Sequence, residues 1–118
     1  MKIALLGNPN CGKSSLFNHL TGLRQKIGNF PGVTVDKKIG TAKLPGGATV
    51  EVLDLPGTYS IYPNSQDEQV VLSVLTNPED KDFPDLVVVV VDASNLKRNL
   101  LLFSQVVDLG FPVILALN

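Results

Sequence analysis

Gly7-Asn8-Pro9-Asn10-Cys11-Gly12-Lys13-Ser14 is the stretch on which the rest of the chain depends. It fits G-x-x-x-x-G-K-[ST], the pattern of a phosphate-cradling loop. Its flanks supply the context that pattern needs. Lys2-Ile3-Ala4-Leu5-Leu6 ahead of it is apolar and strand-like, and Leu16, Phe17 and Leu20 behind it recur at helical spacing. Gly7 and Gly12 let the backbone wrap closely around an anion. The amide N–H groups of the loop, from Asn8 through Asn10 and Cys11 to Ser15, surround the same point, with Pro9, which has none, shaping the turn; the positive end of the following helix faces it. Lys13 adds a charge that reaches the β- and γ-phosphates, and the Ser14 hydroxyl is a ligand for Mg²⁺.

Working outward, the 118 residues suffice for one domain with one core. With 44% hydrophobic and 18% charged residues, the chain reads as globular rather than disordered. A net charge of −1 gives no signal for nucleic acid or a membrane surface. Cys11 is the one cysteine, so an internal disulfide is excluded and a reducing compartment fits. Inside the loop it reads as a small side chain in a tight turn, with a reactive thiol as the other reading. No leader is expected, because Ile3 to Leu6 is too short for one. The longest apolar run, Leu86 to Val91, has six residues, whereas a spanning helix needs about 20. Its β-branched composition suits a buried parallel strand.

Strand one is expected over 2–6 and helix one over 13–21, with Gly22 as its stop. Residues 23–35 carry Gly28, Pro31 and Gly32 without a clean period and read as a long, functional loop. Lys37 to Leu44 and Ala48 to Leu53 form an antiparallel hairpin around Pro45-Gly46-Gly47. Ser65-Gln66-Asp67-Glu68 is a capping box ahead of a helix ended by Asn77-Pro78, with Val70, Val71, Val74 and Leu75 on its apolar face. Leu86 to Val91 is the central strand. A helix over about 96–109, capped by Ser94 or Asn95, carries a stripe of Leu96, Leu100, Phe103 and Val107 and stops at Gly110. Residues 111–117 begin another buried strand. Helices alternating with strands predict an α/β fold with a mostly parallel sheet. Ligands in such sheets sit at the carboxyl ends of the strands, where loops 7–14, 23–35 and 54–64 converge.

Hydrolysis of a nucleoside triphosphate needs a carboxylate near the metal, a γ-phosphate sensor and a means of orienting water. Asp54-Leu55-Pro56-Gly57 ends a strand about 40 residues beyond Lys13. Alone, D-x-x-G is a turn after a strand; in this position Asp54 suits a metal-associated carboxylate, and Gly57 can offer its amide to the γ-phosphate. Thr34, a turn threonine when taken alone, can complete the Mg²⁺ shell with Ser14 and Asp54 and release its loop when that phosphate leaves. The candidate catalytic residues are therefore Lys13, Thr34 and Gly57.

The wording Gly7–Asn18, GNPNCGKSSLFN, then Gly28–Val35, GNFPGVTV, then Asp54–Ser60, DLPGTYS, resembles the cytoplasmic G domain of the ferrous iron transport protein B (FeoB) family, among the translation-factor-related GTPases. Residues 91–100 are similar to that family's strand-to-helix passage. The resemblance implies a Ras-like P-loop GTPase sandwich of three layers, mostly parallel with one antiparallel strand. It implies a single G domain over 1–118, lacking its last strand and helix. It implies a K⁺-stimulated GTPase with Mg²⁺, regulating Fe²⁺ uptake through a membrane domain of the same polypeptide, on the cytoplasmic side of an inner membrane. The fragment itself is expected to be soluble. Asn10 matches an asparagine that holds K⁺ beside the phosphates in similar enzymes, with backbone of residues 28–33, including Gly32 and Val33, completing the shell; a turn asparagine is the plainer reading. Thr58 stands where Ras-like enzymes place a water-orienting glutamine, so slow intrinsic turnover is implied. Asn118 resembles the first letter of the guanine-selecting N-x-x-D motif, whose aspartate the chain does not contain.

Two other function classes remain open: a nucleotide-gated binding module with negligible turnover, and a ribosome- or tRNA-associated GTPase, against which the lack of basic patches speaks. An ATPase is a weaker alternative. His19 and the acidic residues Asp67, Glu68, Glu79, Asp80 and Asp82 read as solvated or packing positions, and Tyr59 and Tyr62 as packing or partner contacts. Strand 113–117 would leave a bare apolar edge, which invites a homo-oligomer or a strand-exchanged assembly.

Overall fold

The computed structural model describes residues 1–9, 11–22, 25–61 and 65–117. A six-stranded sheet runs β2-β3-β4-β1-β5-β6. Its strands are β1 (Lys2–Gly7), β2 (Gln25–Asn29), β3 (Asp36–Lys43), β4 (Thr49–Asp54), β5 (Leu86–Val91) and β6 (Val113–Leu117). Helices α1 (Lys13–Thr21), α2 (Gln66–Thr76) and α3 (Leu96–Asp108) connect them. β1 pairs in parallel with both β4 and β5, and β5 in parallel with β6. β3 is antiparallel to β4 and to β2, so it alone runs against the sheet.

Alternation along the strands divides the core into two layers. Leu5, Val50 and Val52 meet Phe17 of α1 on one face. Ala4, Leu6, Leu53, Val87, Val89 and Val91 meet α2 and α3 on the other, through Val70, Val71, Val74, Leu102 and Val106. The expected three-layer α/β architecture is what folds. Among the described residues, no helix is long and apolar enough to cross a membrane.

Three expectations need correction. Residues 25–29 are not loop but strand β2, paired with β3 from Gln25↔Gly40 to Asn29↔Asp36. Four of its five residues are exposed, so its pairing rests on the backbone edge of β3 and leaves no apolar period to read. The Ser94 hydroxyl and amide donate to Asp92 Oδ1 at 2.8 and 3.0 Å, so Asp92 caps the 3₁₀ turn Ala93–Asn95 that leads into α3, while the expected cap of α3 at Asn95 falls outside the described side chains. The buried stripe of α3 is Asn99, Leu102 and Val106, whereas Leu96, Leu100 and Val107 are exposed. Finally, β5 lies next to last in the sheet rather than at its centre, and β6 forms the expected edge with Ile114, Leu115 and Leu117 exposed rather than buried.

Candidate functional site

The β1–α1 junction builds the centre of the site. Gly12 takes a left-handed conformation (φ 91°) as it opens α1, a conformation that disfavours a side chain. No side-chain hydrogen bond caps this helix among the described residues and its first turn holds no acidic residue, which suits an anion there. Cys11 is buried behind the loop, and burial pushes its thiol above the ordinary range. It is a small packing residue, not a poised nucleophile.

The side chains of Lys13 and Asp54 are both nearly enclosed, at 10% and 7% exposure, and the Lys13 ammonium pairs with Asp54 Oδ1. Pairing is what lets the two charges be buried together. β1 and β4 set this meeting directly, because their register places Leu5 against Asp54 and Leu55 N–H donates to Leu5 O at 3.2 Å. Around the pair lies a cavity of about 370 Å³ lined by Lys13, Ser14, Thr34, Asp54, Leu55, Pro56 and Gly57. A second cavity of about 600 Å³ is lined by Asn8, Pro9, Cys11, Gly12, Lys13, Ser14, Ser15 and Gly57. Lys13, Ser14 and Gly57 belong to both.

Gly57 has a steric reason to be glycine. A Cβ there would lie 3.0 Å from Pro9 Cα and 3.1 Å from Pro9 N, so the segment after β4 docks directly on the phosphate-type loop. Thr58 N–H donates to Gly7 O at 2.9 Å and fixes that contact. Thr34 sits exposed on a short loop closed by Phe30 N–H donating to Val35 O at 3.0 Å. Behind this loop Lys37 pairs with Asp82 at 2.5 Å and lies 5.5 Å above the Phe30 ring, which anchors its base.

The remaining expected residues distribute unevenly. Gly7 supports the loop from behind, through its carbonyl. Asn8 is buried, with both polar atoms of its side chain unpartnered among the described residues. Val33 lines a neighbouring groove with Phe30 and α2 rather than the cavity of Thr34, and Gly32 lines none of these three spaces. Asn10, Tyr62 and Asn118 lie outside the described residues. Sequence reasoning missed Lys38, which lines the smaller cavity, and Asp67, which lines both. Neither stands in a motif; only the placement of β3 and α2 around the site brings them in.

Chemically, the arrangement offers an anion cradle, one cation and hard oxygen donors from Ser14, Thr34 and Asp54. No cluster of three His, Cys, Asp or Glu side chains that could hold a metal occurs among the described residues. Two hydroxyls and one carboxylate suit Mg²⁺, which takes few protein ligands and completes its shell with water and phosphate oxygens.

Comparison with known proteins agrees with this geometry. The family profile described as ferrous iron transport protein B matches residues 1–118. The Fe(2+) transport protein A/Fe(2+) transporter FeoB fusion protein of Porphyromonas gingivalis is 46% identical over 118 residues, covering 100% of this chain and 14% of that protein. The Fe(2+) transporter FeoB of Legionella pneumophila is 48% identical, covering 97% of this chain and 15% of that protein. The chain thus spans under a sixth of the length of these relatives. Among solved structures, the G domain of the T. maritima FeoB iron transporter matches with a TM-score of 0.90 at 43% identity, covering 99% of this chain and 70% of that one. A mutant of S. thermophilus NFeoB bound to GDP matches with a TM-score of 0.88 at 46% identity, covering 100% of this chain and 44% of that one.

Proposed function

The chain belongs to the ferrous iron transport protein B family, and on that premise we propose that it is a GTP-binding and GTP-hydrolysing switch domain regulating Fe²⁺ transport. One observation carries the reading: Lys13, Ser14, Thr34, Asp54 and Gly57, drawn from three separate segments, line a single cavity. In this role Lys13 exchanges its contact with Asp54 for the β- and γ-phosphates. Ser14, Thr34 and Asp54 would hold Mg²⁺, which supplies charge neutralisation at the phosphates. The Gly57 amide reads the terminal phosphate, with no side chain in the way. Thr34 and Gly57 would answer to its loss, and their loops would carry that signal to a transport domain of the same polypeptide on the cytoplasmic side of a membrane. The single domain over 1–118 is proposed in the same sense, as is guanine selection beginning at Asn118.

K⁺ held through Asn10 would neutralise charge developing in the transition state. The test is Mg²⁺-dependent GTP turnover by the complete domain in K⁺ and in Na⁺. Faster turnover in K⁺ is expected; equal rates would remove the cation role of Asn10. A GTP-versus-ATP competition titration tests the base preference.

A second reading, a nucleotide-gated binding module with negligible turnover, is favoured by Thr58. Its side chain is turned away from the cavity: the hydroxyl lies 2.7 Å from Glu68 Oε2 and 2.6 Å from Ser60 O, and the residue is buried. It therefore orients no water in this arrangement. Single-turnover hydrolysis separates the readings, since the module predicts none.

A further inference from the structure

The segment that follows Gly57 is held by a residue of α3 to which no motif points. Gln105 Oε1 accepts hydrogen bonds from Ser60 Oγ at 2.9 Å and from Ile61 N–H at 3.0 Å. An amide N–H can only donate, so the atom facing Ile61 has to be the Gln105 oxygen. The Ile61 side chain is buried in the core shared with α2 and α3. Three residues upstream, Thr58 N–H is fastened to Gly7 O and its hydroxyl to Glu68 of α2. Segment 58–61 is thus tied to β1, α2 and α3 in turn, and Gly57 is pressed on Pro9 at its head.

We propose that Gln105 is a positioning residue: a latch that holds segment 58–61 docked, with the Gly57 amide at the phosphate end of the cavity. This rests on the nucleotide-switch reading above and extends it to α3. Gly57 cannot retreat from a terminal phosphate by more than a small shift unless segment 58–61 moves with it, and that movement breaks both bonds to Gln105. The latch therefore favours the arrangement that engages a triphosphate and contributes little to binding a diphosphate, which has no terminal group for Gly57 to contact. It also joins the site to α3.

The test compares Gln105→Met, which keeps the length but accepts neither bond, with Gln105→Glu, which keeps the accepting oxygens, in the native polypeptide. Two readouts are taken: hydrogen exchange at the Ile61 amide without nucleotide, and the affinities for GDP and a non-hydrolysable GTP analogue. With Gln105→Met, Ile61 exchange should rise and analogue affinity should fall, each by roughly tenfold, the scale of one to two buried hydrogen bonds. GDP affinity should hold within about twofold, the scatter expected of a site the change leaves alone. Gln105→Glu should restore both readouts. Unchanged Ile61 exchange, equal losses for the two nucleotides, or a Gln105→Glu protein that behaves as Gln105→Met would each overturn the latch. A wild-type protein that binds neither nucleotide overturns the switch reading instead, and the latch is then decided by Ile61 exchange alone.

Discussion

The buried Lys13–Asp54 pair is the central contact of the site at the scale of single residues, and it sets the sign of one substitution. Asp54→Ala leaves the Lys13 ammonium buried without its partner, so the nucleotide-free domain should lose about 3 kcal/mol of stability, as broken buried pairs do. Urea unfolding measures this; a loss below about 0.5 kcal/mol, typical of exposed positions, would show the pair to be effectively solvated. Cys11 provides a prediction with a pH sense. Burial raises its thiol above the ordinary value, so the folded protein favours the neutral form. The stabilisation from that preference is complete at neutral pH and is lost as pH climbs through the alkaline range. Alkylation at pH 7.5 should accordingly be slow in the native protein and fast once urea unfolds it; equal rates would contradict the burial. The motif made Lys13, Ser14 and Gly57 legible because their chemistry is tied to spacing along the chain. Lys38 and Asp67 were not legible, since a position set by the assembled sheet leaves no mark in local sequence.

At the scale of elements, capping separates what could be read from what could not. The Ser65 cap of α2 forms as spaced, with Glu68 N–H donating to Ser65 Oγ at 3.2 Å. Ser65→Ala should cost about 1 kcal/mol, measurable as a lowered midpoint in urea. On α3 the pattern misled, for a physical reason. Leu100, Leu101 and Leu102 are consecutive, so several helical phases fit, and the buried polar Asn99 argues against the phase that forms. Leu102→Ala should therefore cost 2–5 kcal/mol or thereabouts, by cavity formation, against under about 0.5 for Leu100→Ala. The reverse order in thermal or urea unfolding would restore the sequence-read stripe. β2 escaped detection because an exposed edge strand is held by backbone pairing, and backbone pairing has no sequence period.

Over the whole molecule, the order of strands places the carboxyl ends of β1 and β4 side by side, and that adjacency brings the phosphate-type loop against the D-x-P-G segment. The same order leaves β6 at one edge with Ile114, Leu115 and Leu117 exposed. Such an edge can pair with another chain. The most direct measurement of the central claim is a titration of the complete domain with Mg²⁺ and a non-hydrolysable GTP analogue, wild type against Lys13→Ala. The account predicts saturable binding by the wild type and a loss of roughly 10- to 100-fold in the variant, the scale of a charge-assisted hydrogen bond to phosphate. Undiminished affinity in Lys13→Ala would contradict it.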